Sequence, residues 1–373
     1  MLDRKCWRHT LENKFMKKIH IMALLLLATV SAFADVVKIG VILPLSGNNA
    51  MLGEKVLPAL KLFEAENAKG GTKHTYKIIL EDDQITPRLT AQAANKLFNI
   101  DKVDAVLSFS SGSGNVIAPI AKQKRIPHIC IGSDTTIASK NAFSYLHWVK
   151  PASEAQGIVE IAKRMGAKRA AIISMRHQGV QAIIKELEPR LKADGIIVAA
   201  SEDFNPGERD FRTHLTRIRE QNPEILIPVA FSPELEIILR QQREVGLNLP
   251  MPSAEVYDFT SAIDLSEGQF YVSGSTGTDS FKKHLRETLG LESDYSIPFV
   301  YNILDLFRAA YEKQEKIDPV AAADFLNNLK DYPSAAGLIS TDKDRFIDTP
   351  PAYFKIENGK IRSVSLEEIT PLK

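Results

Sequence analysis

Two hydrophobic rhythms alternate along the chain. Short, nearly continuous apolar runs read as strands buried on both faces, and longer stretches with apolar residues every three to four positions read as helices covering them. The first rhythm predicts strands over 36–43, 76–81, 103–109 and 126–131, with helices over 52–67, 87–99 and 115–124 between them. The first helix ends at "AKGG", where glycine supplies a left-handed cap, and the second has Pro87 in its first turn. A second series follows, with helices over 153–165, 178–193, 209–221 and 233–245. Its strands fall over 169–174, 196–200 and 225–229, with a short one around 249–251.

After Gly268 the rhythm changes. Helices over 280–289, 298–314 and 319–329 come in one block, followed by short strands over 353–356 and 361–365 flanking "ENGK". Two strand–helix series imply an α/β protein of two doubly wound lobes with parallel sheets. The late helices complete the first lobe and the final hairpin returns to the second, so the chain crosses between lobes three times.

The N-terminus belongs to neither series. A basic Met16-Lys17-Lys18, an apolar run over 21–30 and Ala32-Phe33-Ala34 form a secretory signal with cleavage before Asp35. Its apolar stretch is too short to span a membrane. Either Met1 or Met16 serves as the start. No cysteine follows the cleavage site, which argues against a lipid anchor. Loss of 1–34 removes Cys6 and leaves Cys130 alone, a small buried hydrophobe in "IPHICIG". An exported chain without an internal disulfide suits a bacterial periplasm. The leader carries six Lys or Arg and two Asp or Glu, so its removal takes the net charge from +1 to near −3. Nothing in that balance suggests nucleic acid or anionic membrane as a partner.

Candidate chemistry concentrates where two strands end. One stops in Ser110-Ser111-Gly112-Ser113-Gly114, the next in Gly132-Ser133-Asp134-Thr135-Thr136. In open α/β sheets ligands sit at the carboxyl ends of strands, where helix starts point free N–H groups outward. Ser111, Ser113, Ser133 and Thr135 therefore form either a cradle for a carboxylate or a set of caps and turns, which Ser and Thr favour in any case. A phosphate loop is excluded because "SSGSGNV" lacks GK[ST], and a serine hydrolase because no G-x-S-x-G occurs. The histidines at 74, 128, 147, 177, 214 and 284 show no metal-binding pair spacing. His128 reads as a strand residue satisfied locally. No cofactor and no metal is expected.

The ordered segments "VKIGVILPLSGNNAMLGEKVLPALKLFEAENAKGG", "LEDDQITPRLTAQAANKL", "SSGSGNVIAPIAKQKRIPHI", "FNPGERDFRTHLTRIREQNPEILI" and "YFKIENGKI" carry a resemblance. Over 36–361 the chain resembles the periplasmic leucine/isoleucine/valine-type solute-binding proteins, the type I bilobed binding components of ABC importers. The resemblance implies lobes of 35–149 plus 276–346 and 150–275 plus 347–373, joined by three crossovers around a ligand cleft. By the same resemblance the cleft serine falls on Ser111. The small-residue and hydroxyl pair falls on Ser133 and Asp134, with Thr135 adjacent, which places an acid where the family has a hydroxyl. The acid that pairs with a ligand ammonium falls on Glu255. Positions that are aromatic in the family fall on Phe231, Gln178 and Leu52. A monomer that binds an amino acid or a related small solute, without chemistry, and docks on an inner-membrane ABC permease is implied. An exported sensor built on the same fold is the alternative, and an enzyme would need a nucleophile–base pair or cofactor loop that the chain does not display.

Overall fold

The computed structural model describes residues 35–139, 141–260, 262–294 and 296–372, and the expected leader over 1–34, with Cys6, lies outside them. The first lobe opens with β1 (Val36–Leu43), α1 (Ala50–Asn67), β2 (Thr75–Asp82), α2 (Pro87–Asn95), β3 (Ala105–Phe109), α3 (Ser111–Lys124), β4 (His128–Ile131), α4 (Thr136–Ser139) and β5 (Ser144–Trp148). The chain then builds α5 (Pro151–Met165), β6 (Arg169–Met175), α6 (Gln178–Ala193), β7 (Ile197–Phe204), α7 (Arg212–Glu220), β8 (Ile225–Val229), α8 (Glu234–Glu244) and β9 (Phe270–Ser273). It returns through α9 (Asp279–Leu289), α10 (Ser296–Glu312), α11 (Pro319–Asn327), β10 (Tyr332–Ser334), β11 (Gly337–Thr341) and β12 (Phe346–Asp348), and ends in the hairpin β13 (Ala352–Glu357) and β14 (Lys360–Val364).

The strands assemble into one sheet of order β10-β11-β12-β5-β4-β3-β1-β2 and two three-stranded sheets, β7-β6-β8 and β14-β13-β9. Every pairing from β12 through β2 in the large sheet is parallel, as is β7-β6-β8. β3, β4 and β5 are buried along their whole length, which explains why apolar residues predominate in them. Each lobe has its own large core. One gathers β1, β3 and β4 with Phe299, Ile303 and Phe307 of α10, and the other gathers Ile172, Ile227, Val272 and Phe354. Phe231 packs against both.

Three expectations are corrected. The segment around 249–251 is not a strand, because Pro250 and Pro252 lack the amides a ladder needs. It still ties β8 to β9, since Leu226 N–H donates to the Pro250 carbonyl (3.0 Å) and Val272 N–H to that of Ser253 (3.0 Å). The helix after β3 begins at Ser111, not Asn115. β5, unmarked in the hydrophobic pattern, is a central strand in which Ser144 and His147 break the apolar run. Their polar atoms are satisfied inside: Ser144 Oγ lies 3.2 Å from His128 Nδ1, and His147 Nδ1 lies 2.9 Å from the Ile347 carbonyl oxygen. His128 is held locally, its Nε2 being 2.8 Å from Ser108 Oγ, and burial pushes its pKa down to about 3, so the ring is neutral. Cys130 is a buried free thiol whose pKa burial raises to about 12.

Candidate functional site: a cleft at facing strand ends

The carboxyl ends of β3, β4 and β5 in one lobe face those of β6 and β8 in the other across a cavity of about 470 Å³. That size suits a small organic solute. The first lobe contributes Leu52, Phe109, Ser111, Ser133 and Trp148, and the second Met175, His177, Phe231, Glu255 and Phe259. Phe109, Phe259, Phe231 and His177 form a run of edge-to-face rings, with successive centroids 6.2, 5.8 and 5.7 Å apart. These spacings are those that aromatic quadrupoles favour. The run crosses from one lobe to the other.

The first-lobe wall is built by a sharp reversal after β3. Ser110 takes φ +83°, sparsely populated for a residue with a Cβ, and is held by its N–H bond to the Ile131 carbonyl (2.8 Å) and by its hydroxyl capping Ser113 N–H (3.2 Å). The reversal starts α3 at the cavity, where the first-turn N–H groups of Ser111 and Gly112 have no helical acceptor. Ser111 Oγ accepts from the amides of Ser133 (3.0 Å) and Asp134 (3.1 Å), which ties the two strand ends together. Both accepted bonds leave its own proton available to donate into the cavity. Gly132 makes this approach possible, since a Cβ there would lie 2.9 Å from Ser111 Oγ. Gly179, at the start of α6 in the other lobe, comes as near: its Cβ would lie 3.1 Å from the same oxygen.

The second-lobe wall is charged. Glu255 opens the short turn Glu255–Phe259 and is 5 % exposed. Its neighbour Glu154, in the first turn of α5, is fully buried and accepts a hydrogen bond from Trp148 Nε1 at 3.1 Å. Burial raises the pKa of both carboxyls, and Glu154 is raised well above the usual range by the further presence of Glu255. Burial lowers the pKa of His177, partly offset by the charge of Asp134, and its Nδ1 has no hydrogen-bond partner among the described residues. The exposed Arg209 and the buried Glu234 line the cavity on the same lobe, where Glu234 Oε1 receives Gly207 N–H at 2.6 Å.

Of the sequence-predicted residues, Leu52, Ser111, Ser133, Phe231 and Glu255 come together on this cavity. Asp134, Thr135 and Gln178 do not line it, and this corrects their assignment to the site. Asp134 turns to cap α4, its Oδ1 accepting from Thr136 N (3.0 Å) and Thr136 Oγ1 (2.7 Å) and its Oδ2 from Asn115 Nδ2 (2.8 Å). Thr135 and Gln178 are exposed, and the residues flanking Gln178, His177 and Gly179, reach the cavity in its place. Ser113 is likewise consumed elsewhere, donating to Asp83 Oδ2 at 2.5 Å. Trp148, His177, Phe109 and Phe259 were not anticipated. The strand-end rule that selected Ser111 would have selected Trp148 had β5 been visible in the pattern. Among the described residues no group of three or more His, Cys, Asp or Glu is placed to hold a metal ion, and no helix is long and apolar enough to cross a membrane.

The model of a family described as periplasmic binding protein matches residues 36–360. An amino acid binding protein of Pseudomonas aeruginosa is 27 % identical over 313 residues, covering 80 % of this chain and 83 % of its own. A leucine binding protein from Thermotoga maritima superposes with a TM-score of 0.80 at 20 % identity, over 88 % of this chain and 98 % of its own. An ABC-transporter solute binding protein from R. palustris, solved with 4-hydroxybenzoate, superposes with a TM-score of 0.80 at 20 % identity, over 89 % and 96 %.

Proposed function

Because the chain belongs to the periplasmic binding protein family, we propose that it is the exported substrate-binding component of an ABC importer, taking an amino acid with an apolar side chain into the interlobe cleft. One observation carries the choice of ligand. A neutral cradle of hydroxyl and helix-start N–H groups at Ser111 and Ser133 bounds the same apolar cavity as the buried carboxyl of Glu255. The cradle suits a ligand carboxylate, and the acid suits its ammonium through a charge-assisted hydrogen bond. The ring-lined middle suits the side chain. An aromatic acid such as 4-hydroxybenzoate would fill the same walls but brings no positive charge to offset Glu255, so it is the less favoured occupant.

The mechanism is binding with lobe closure. Ligand enters between the lobes, which hinge near 149–150, 275–276 and 346–347, and its water is replaced by groups from both sides. Raising a closed form from one to ninety-nine per cent requires about 5.5 kcal/mol of differential affinity. Two or three charge-assisted hydrogen bonds at roughly 1.5–3 kcal/mol each supply it. The closed form would dock on a membrane permease as a monomer. The experiment is a calorimetric titration of the chain from Asp35 onward with leucine, isoleucine, phenylalanine, benzoate and 4-hydroxybenzoate. Binding confined to the amine-bearing ligands is expected. Binding of the benzoates alone would overturn the amino-acid assignment, and turnover of any ligand would overturn the binding role.

A further inference from the structure

Glu154 does not line the cavity, yet it is fully buried directly behind Glu255. Oε1 of Glu154 is engaged by the Trp148 indole N–H (3.1 Å), whereas Oε2 of Glu154 and Oε2 of Glu255 are both buried and, among the described residues, meet no N–H or O–H donor. The two carboxyls are near enough that each perturbs the titration of the other. Two ionised carboxylates in that position would repel in a poorly screened interior, each with an unsatisfied oxygen. A single proton removes both problems: it converts one repelling contact into a carboxyl-to-carboxylate hydrogen bond and satisfies both oxygens.

We propose that Glu154 is a positioning residue of the cleft: it keeps its proton and donates it to Glu255, so that the pair presents one negative charge, on Glu255, to the ligand. Burial favours the same assignment. Glu154 is the deeper of the two and, among the described residues, the Trp148 indole N–H is its one donor, while Glu255 reaches the cavity where a ligand cation can compensate its charge. The charged and titratable surroundings do not supply an alternative counter-ion. Asp348, at the end of β12, adds negative charge behind Glu154 and is itself paired with Lys150 (3.2 Å), which also holds Asp342 (3.1 Å). Asp258, on the same turn as Glu255, is occupied by the Tyr271 hydroxyl (2.5 Å). His177, Glu234 and Arg209 stand on the cavity walls.

The consequence for ligand choice rests on the proposed function, since it assigns the exposed charge of the pair to a ligand ammonium. The proton itself does not, and it can be read without any ligand. In the unliganded protein, a carbon-13 titration of glutamate side-chain carboxyls should show one resonance that stays protonated well above the ordinary range. That resonance should be absent in Glu154→Gln, whose amide still donates to Glu255 and still accepts from Trp148. A second readout covers stability. The folded-state pKa of Glu154 is raised, so the folded form binds more protons than the unfolded form above about pH 4.3, and stability falls as pH rises through that window. Glu154→Gln should therefore gain on the wild type in Tm at pH 8 relative to pH 4.5, while Glu154→Leu, which cannot donate, should lose at both. Two ionised glutamates throughout the neutral range, or a Tm difference between Glu154→Gln and the wild type that does not change with pH, would overturn the proposal while leaving the cleft's ligand reading intact.

Discussion

The two walls of the cleft solve opposite problems. On the first-lobe wall the polar groups engage one another: Ser111 Oγ takes the amides of Ser133 and Asp134, Ser113 goes to Asp83, and Asp134 caps a helix. What remains for a ligand is a set of neutral donors already fixed in place. On the second-lobe side Glu255, at the cavity, and Glu154 behind it are buried, each with an oxygen that no donor of the described residues reaches. One wall is preorganised and the other is incomplete, and the incomplete wall is where binding free energy and pH dependence should concentrate.

That contrast orders the expected effects. Glu255→Gln should be the most damaging change, because it removes the charge that an amine-bearing ligand would meet in a buried site. A loss of about 3–5 kcal/mol is expected, as for breaking one partner of a buried pair, read by calorimetry with the ligand that binds the wild type best. Affinity that survives this change would equalise the two walls. Ser111→Ala should cost roughly 1.5–3 kcal/mol of affinity, and because it also strands two amides, thermal stability should drop alongside. An affinity loss without a drop in Tm would mean that the strand ends hold together by other means.

Gly179→Ala tests whether the walls must touch. The added methyl would press on an oxygen pinned by two amides, so ligand affinity should fall by about 1 kcal/mol with the Tm of the unliganded protein little changed. Solution scattering should show less compaction on adding ligand. The smallest effect belongs to Gln178→Ala, next door but exposed, which should stay within about 0.5 kcal/mol in both affinity and stability. A larger effect would return Gln178 to the site from which the structure removes it.

Much of this architecture was legible in the residue pattern because its central strands are buried on both faces and its helices on one. β1, α6 and β8 coincide with their expected bounds, Lys38 being the one polar side chain within the two strands. The misses share a cause. β5 carries Ser144 and His147, whose polarity argues against a core strand until their partners on β4 and β12 are known. The strands β10 and β12, three residues each, are too short to display a period. Likewise Ser111 was found because a strand end rich in hydroxyls is a local feature, whereas the exclusion of Asp134 depends on Asn115, nineteen residues earlier in the chain.

The order of apolar runs and amphipathic stretches, a local property, was sufficient to determine two α/β lobes and to single out the tips of β3 and β4, which line the cavity. Which side chains at those tips face inward was decided only by tertiary structure. A side chain's direction depends on the hydrogen bonds its neighbours offer, and at Asp134, Glu154 and Gln178 those neighbours come from other elements or from the turn of a helix. Burial did the rest, since only the packing of α5, the end of β5 and the turn at Glu255 sets two acids side by side and so makes their charge a question.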